Sequence, residues 1–228
     1  MRREDIGFES YFRRQIELWG IDTQRSLCDK RVAVIGCGGL GSAVCAALGG
    51  SGIGELMLVD FDEISPHNLH RQILYKLRDV GLKKADTAAR DIQNRDPFIK
   101  VVSYNEDFKR FTSEAQKPDL IIDATDNLPV RSEIDRFASE IGVPWIYGSV
   151  EGYDGQVCFF DKASFDVFAT GDKKPGPTVS PMVMQVASLQ ANLALRYLAG
   201  MKVAKDMLYY LYYDGNGEFA TKRFAMPT

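Results

Sequence analysis

The stretch VAVIGCGGLG, residues 32 to 41, constrains the fold of this chain more than any other feature. A short apolar run that ends in glycine reads as a buried strand. Gly36, Gly38 and Gly41, in G-x-G-x-x-G spacing, read as the tight turn from that strand into a helix. Glycine suits such a turn because backbone N–H groups can then approach phosphate oxygens at the positive end of the helix. A second apolar run, residues 55 to 59, ends on Asp60, 19 residues after Gly41, the interval at which a βαβ unit brings a carboxylate to a ribose. The pattern predicts a nucleotide site and leaves the nucleotide open, since NAD and ATP can both use it.

The alternation continues along the chain. Residues 5 to 27 read as helical, with Phe8, Tyr11, Phe12, Ile16 and Trp19 sharing much of one face and Gly20 as a break. Strands are expected at 31–36, 55–60, 99–104, 119–123 and 144–150, with helices at 42–48, 82–94 and 129–141 and a polar loop over 61–80. A strand at 155–160 hairpins back, a mobile crossover covers 161–177, and a helix at 179–199 precedes strands at 207–212 and 218–224. This order predicts an α/β, Rossmann-like fold: a mainly parallel sheet with helices on both faces, extended by antiparallel strands in the C-terminal part. One domain over 1–228 is expected, with a helical segment at 1–27, a nucleotide-binding core at 28–150 and a sheet-extending part at 151–228.

Composition narrows the function. With 228 residues, 45% of them hydrophobic, the chain can bury a sizeable core. Its net charge of -3 gives no basic field of the kind a bulk nucleic-acid partner requires. No apolar run reaches the ~18 to 20 residues of a membrane span, and the charged start lacks a signal-peptide core, so a cytoplasmic protein is expected. The cysteines at 28, 37, 45 and 158 form no C-x-x-C pair, which points to free, mostly buried thiols.

Two loops carry the chemistry. In DFDEISPHNLHRQ, residues 60 to 72, Asp62 and Glu63 precede Asn68, Arg71 and Gln72. These sit beside the phosphate turn if residues 68 to 72 begin a helix or 3₁₀ turn. A hydride carrier has no need of this charge, whereas Arg71 and Lys84 suit phosphates whose charge grows as pyrophosphate leaves. The bland alternative is a solvated charged loop. In DATDN, residues 123 to 127, Asp126 follows an apolar strand and would point into the ligand crevice, where it could bind the Mg²⁺ that accompanies ATP. An Asx turn or helix cap would explain the same residues. Asp123 reads as structural.

Six stretches, FRRQIELWG (12–20), VAVIGCGGLGS (32–42), LVDFDEISPHNLHRQ (58–72), GLKKADTA (81–88), DATDN (123–127) and EGYDGQV (151–157), occur in an order that resembles a known family. This is the MoeB, ThiF and HesA group of adenylyltransferases, relatives of the ubiquitin-activating enzymes. The resemblance implies that Gly36, Gly38, Gly39 and Gly41 cradle the phosphates of ATP, that Asp60 holds the ribose, and that Asn68, Arg71, Gln72 and Lys84 line the triphosphate. It places Asp62 among the nucleotide-binding residues and gives Mg²⁺ to Asp126. It implies a homodimer in which Arg14 reaches into the partner subunit's site. The implied reaction is adenylation of the C-terminal Gly-Gly carboxylate of a ubiquitin-like sulfur carrier, in thiamine or molybdopterin biosynthesis, with Arg71, Lys84, Asp126 and Arg14 as the catalytic set.

The departures from the family pattern also carry meaning. Many members bind structural zinc through two C-x-x-C pairs, but this chain has no cysteine after Cys158, so no structural zinc is expected. The crossover cysteine that accepts the acyl group in some relatives is missing too. A compact adenylating core that hands its product to a separate sulfur donor is the resulting expectation. Two rival readings are a tRNA-modifying dehydratase of the same superfamily and a non-catalytic scaffold subunit. The tyrosine-rich strand YYLYYDGNGEF (209–219) is read as packing on its own core, with Asp214-Gly215 or Asn216-Gly217 as its turn.

Overall fold

The computed structural model describes residues 7–168 and 176–228. The strands are β1 (Arg31–Ile35), β2 (Glu55–Val59), β3 (Lys100–Tyr104), β4 (Leu120–Asp123), β5 (Trp145–Glu151), β6 (Asp154–Phe160), β7 (Met207–Tyr213) and β8 (Phe219–Ala225). They form one sheet in the order β3-β2-β1-β4-β5-β6-β7-β8. Pairing is parallel from β3 to β5 and antiparallel from β5 to β8. This is the α/β arrangement the sequence predicts.

The helices are α1 (Phe8–Tyr11), α2 (Arg13–Trp19), α3 (Ile21–Leu27), α4 (Gly39–Leu48), α5 (Lys84–Arg95), α6 (Phe108–Glu114), α7 (Leu128–Ile141) and α8 (Ser180–Leu198). The period of two along β1 shows how they cover the sheet. Val32 and Val34 face a core shared with α4, α5 and α8, while Ala33 and Ile35 face one shared with α6 and α7. Burying each such aliphatic side chain contributes about 1.5–3 kcal/mol.

The helix expected over 5–27 is three short ones, and its first residues lie outside the described residues. The chain turns at Phe12, whose ring is 2% exposed and packs against Phe8, Tyr11 and Phe98. It turns again at Gly20, where φ is +85°. The α4 helix starts three residues earlier than expected, at Gly39, so the glycine turn is itself the helix start. Two 3₁₀ turns, Pro66–Asn68 and Leu77–Asp79, interrupt the polar loop.

Helix α6 was not expected; Asp107 caps it by accepting the Arg110 N–H at 2.9 Å. Past β6 the chain makes a 3₁₀ turn at Phe165–Val167, pinned where Asp135 on α7 accepts from Ser164 Oγ and from the Phe165 N–H, both at 2.9 Å. Residues 169–175 of the expected crossover lie outside the described residues.

All four cysteines are free, with Cys37, Cys45 and Cys158 buried and Cys28 exposed. Burial pushes the Cys158 thiol up to about 12, which disfavours the nucleophilic thiolate. On β7, Leu208 and Leu211 are both buried, on opposite faces of the sheet, Leu211 in the core shared with α8 and Leu208 in the one shared with α6 and α7. Its hairpin turn uses all four residues Asp214 to Gly217, with the Asp214 carboxylate accepting from the Asn216 and Glu218 N–H groups. No described helix is long and apolar enough to cross a membrane.

Candidate functional site

Strands β1, β2 and β4 end level with one another, since Ile35 pairs with both Val59 and Asp123. Strand order reverses between β1 and β4, and parallel sheets open a ligand crevice at such a point. A cleft of about 750 Å³ lies there. It is lined by Gly36, Gly38, Gly39, Asp60, Asp62, Asn68, Arg71, Gln72, Lys84 and Asp126, which is every predicted site residue except Gly41 and Arg14.

The glycines have different jobs. Gly36 has φ +92°, and a Cβ on it would stand 2.8 Å from the Ala124 carbonyl oxygen, so no other residue fits without displacing backbone. Gly38 and Gly39 open onto the cleft, against the side chains of Gln72, Arg71 and Val183. Gly41 lies elsewhere: a Cβ there would sit 1.9 Å from the Gly36 carbonyl oxygen. It lets the turn fold onto α4 and does not line the cleft.

Asp60 stands at the end of β2, its carboxylate accepting the Cys37 N–H at 2.7 Å and the Asp62 N–H at 2.8 Å. Burial raises its pKa, opposed by the nearby Lys84 ammonium and those two N–H donors. Lys84, the first residue of α5, is buried and pairs with Asp62 at 2.7 Å. Tyr75 ties the two loops together by donating its hydroxyl to the Cys37 carbonyl at 2.7 Å and to the Lys84 carbonyl at 3.3 Å.

The 3₁₀ turn at Pro66–Asn68 delivers the next three side chains. Asn68 accepts the Ser65 N–H at 3.0 Å and so fixes the turn. Arg71 donates to the His67 carbonyl at 3.0 Å and lies 2.9 Å from His70 Nε2. Gln72 is 2% exposed, and its Oε1 has no protein partner. Together with Lys84 these groups give one wall of the cleft a cluster of donors suited to anionic oxygens.

Asp126 forms the opposite wall and is exposed to the cleft, while Asn127 caps α7 through the Val130 N–H at 3.2 Å. Among the described residues no group of three His, Cys, Asp or Glu side chains could hold a metal. An ion at Asp126 would complete its shell with phosphate oxygens and water, which is how Mg²⁺ is usually bound beside a nucleotide. Asp123, one residue past the ladder with β5, is fully buried and paired with Arg131 at 2.9 Å, as its structural reading requires. Burial raises its pKa against the pull of that guanidinium.

Arg14 lies on α2 outside this cleft, its side chain 88% exposed and 3.8 Å from Glu17. The helix beneath it is firmly held. Gln15 and Trp19 both donate to Gln24 Oε1, and Gln15 and Gln24 donate to the Ser51 carbonyl. The RQIELWG stretch is thus a fastening that leaves Arg14 projecting.

The family resemblance makes Gly148 to Gly155 and the 161–177 crossover candidate walls of a channel for a carrier tail, a range that takes in Ser149 and Phe165; Arg131, Tyr147, Gln156 and Thr178, which continue the lining at that end of the cleft, were not anticipated. Those four come from α7, β5, β6 and the segment before α8, and they meet only in three dimensions.

Comparison with known proteins agrees with this geometry. The model of the ThiF family matches residues 12–227. The molybdopterin-synthase adenylyltransferase of Salmonella typhimurium is 34% identical over 203 residues, covering 82% of this chain and 81% of that protein. The sulfur carrier protein ThiS adenylyltransferase of Escherichia coli is 30% identical over 208 residues, covering 84% and 82%. Longer relatives also match, and the chain spans about half of their length. The crystal structure of E. coli MccB with ATP shares the fold at a TM-score of 0.84, covering 97% of this chain and 71% of that one at 20% identity. This chain belongs to the ThiF family.

Proposed function

We propose that this chain is an ATP- and Mg²⁺-dependent adenylyltransferase, acting in the cytoplasm on the C-terminal Gly-Gly carboxylate of a ubiquitin-like sulfur carrier. One observation carries this reading: Gly38, Gly39, Asp60, Arg71, Gln72, Lys84 and Asp126 converge on a single cleft. The names of the two relatives similar over most of the chain support the same class, one a ThiS adenylyltransferase and the other a molybdopterin-synthase adenylyltransferase.

In this reading the N–H groups at the start of α4 receive phosphate oxygens, and Asp60 accepts from the ribose hydroxyls. The carrier carboxylate attacks the α-phosphorus. A carboxyl-oxygen-to-phosphorus bond forms while the bond from the α-phosphorus to the bridging oxygen breaks, and the charge moves onto departing pyrophosphate. Lys84 and Arg71 stabilise that charge, Lys84 by exchanging its contact with Asp62 for phosphate. Asp126 would hold Mg²⁺, which supplies further neutralisation of phosphate charge when bound. No protein nucleophile is needed, which suits a cleft whose lining includes no cysteine among the described residues. Sulfur transfer then falls to a separate donor.

The carrier tail would run along the far end of the cleft, past Ser149, Glu151 and Thr178. A homodimer is part of the proposal. Leu18, one turn from Arg14 on α2, is 73% exposed, and Leu77 is 78% exposed; both are apolar groups that a partner could cover. The deciding experiment is ATP–pyrophosphate exchange with purified protein, Mg²⁺ and candidate Gly-Gly-ended carriers. Carrier-dependent exchange that Asp126→Ala abolishes is expected. ATP binding with no exchange for any carrier would reject the activity.

A further inference from the structure

Strands β4 and β5 are paired only at Ile121 with Trp145 and Ile122 with Ile146. Beyond that point they part, and β4 runs into the turn that carries Asp126 while β5 continues to Ser149 and Glu151. A buried arginine spans the gap. Arg131, 5% exposed, donates its Nε to Asp123 Oδ2 at 2.9 Å. Its Nη2 donates both to the Thr125 carbonyl at 2.5 Å and to the Gly148 carbonyl at 3.1 Å. The guanidinium lies 5.0 Å from the centroid of the Tyr147 ring, and the Tyr147 hydroxyl donates to Gln156 at 2.9 Å.

The turn is also gripped from its other side. Thr125 donates its N–H and hydroxyl to Asp123 Oδ1, and Gln190 on α8 donates to the Asp123 carbonyl at 2.7 Å. Gly148 is glycine because a Cβ there would stand 2.4 Å from the Gln190 amide. Ion pairs this deeply buried contribute little net stability, because desolvation offsets most of the attraction, but three hydrogen bonds from one guanidinium fix geometry.

We infer that Arg131 is a positioning residue: it sets the distance between the turn that presents Asp126 and the strand that floors the acyl end of the cleft. This rests on the adenylation reading, and it goes beyond that reading by assigning a role to a side chain whose Nε and Nη2 are committed to protein groups. A fork is required for the task, since the single nitrogen of a lysine cannot stand both at the Nε position beside Asp123 and at the Nη2 position between the two carbonyls.

The test is calorimetric ATP binding with and without Mg²⁺, in the absence of any carrier, for the unmodified protein and Arg131→Lys. Melting temperature is followed in parallel. The ratio of the two ATP affinities reports how well the turn presents its carboxylate to the ion. Loss of a supporting contact typically weakens metal binding 10–100-fold, so Arg131→Lys should lower this ratio about tenfold while metal-free ATP binds as before. A merely structural role would lower the melting temperature and leave the ratio unchanged, and that result overturns the inference.

Should Arg131→Lys fail to fold, Tyr147→Leu keeps all three guanidinium bonds but removes the ring beside them. A smaller drop in the same ratio is expected, and an unchanged ratio counts against the inference. If the unmodified protein binds no ATP at all, the adenylation reading falls first. If it binds ATP with a Mg²⁺-dependent gain that both variants share, only the role of Arg131 falls.

Discussion

The two halves of the sheet use their strand ends differently. From β3 to β5 the strands are parallel, so carboxyl ends gather at one edge and the loops beyond them bring Asp60, Arg71, Lys84 and Asp126 together. From β5 to β8 they are antiparallel, ends alternate, and the inner positions carry aromatic side chains such as Trp145 stacked on Phe160 at 4.7 Å. The parallel half concentrates charge where a ligand can use it; the antiparallel half supplies shape and excludes water. Substitutions in the first should therefore move activity more than stability, and in the second the reverse.

The sharpest contrast pairs two lysines. Lys84→Met should lower exchange by about 10²–10³-fold, the usual loss for one donor aimed at developing charge. The fold should survive, because the partner left behind, Asp62, has a side chain 54% exposed and can be solvated. Lys205 in the other half also pairs with an acid, Asp161 at 3.0 Å. Lys205→Met should leave exchange untouched, and a loss of similar size there would break the comparison.

Two glycines extend the contrast to backbone. Gly36→Ala forces a side chain into the left-handed region and against the Ala124 carbonyl, a strain of about 1–3 kcal/mol that displaces the turn next to Asp126. Activity per folded molecule should fall. In Gly155→Ala the new Cβ meets the Val186 and Met182 side chains at 2.4 and 2.8 Å, an overpacking of about 1–3 kcal/mol. Denaturant midpoints should drop for both, while exchange per folded molecule stays normal for Gly155→Ala alone.

The same division explains what could be read from the sequence. The parallel half was legible because its signals are local: a glycine turn, a carboxylate one βαβ interval later, and a charged loop beside both. Helix α6 escaped notice because it spans seven residues within a charged stretch, although Asp107 as a cap and Phe108 with Phe111 on one face were available as signals. Arg131 escaped because its partners, Asp123, Thr125 and Gly148, sit on β4, on the turn after it and on β5, two strands whose divergence no periodicity reveals. Gly41 fits the motif but packs against Gly36, so spacing could not separate a phosphate contact from a close backbone approach.

Asp60 offers a test by pH. Burial raises its pKa in the folded state, so the folded protein holds this proton more tightly than the unfolded chain does. The unfolded state thus binds fewer protons across the window from the ordinary aspartate value, about 3.9, up to the raised one, and stability from this group falls as pH rises through it. Relative to the unmodified protein, Asp60→Asn should gain melting temperature as pH rises above the ordinary aspartate value, while its ATP affinity drops. A difference that does not change with pH would mean that Asp60 is solvated as well as an ordinary carboxylate.

The smallest effect belongs at the outer edge of the antiparallel half. Strand β8 is mostly exposed and pairs on one side only, with β7. Lys222 there lies 5.0 Å from the Tyr212 ring centroid, an exposed contact of about 0.5–1 kcal/mol. Lys222→Ala should therefore shift the denaturant midpoint only slightly and leave ATP binding and exchange unchanged. Its larger consequence should be association: charged side chains guard an open edge against pairing with another chain, and Phe224 beside it is 50% exposed. Light scattering at rising protein concentration should show more aggregate for the variant than for the unmodified protein. If exchange fell as well, the edge would be coupled to the cleft across β7 and β6, and the two halves would not divide charge from shape as cleanly as their strand directions suggest.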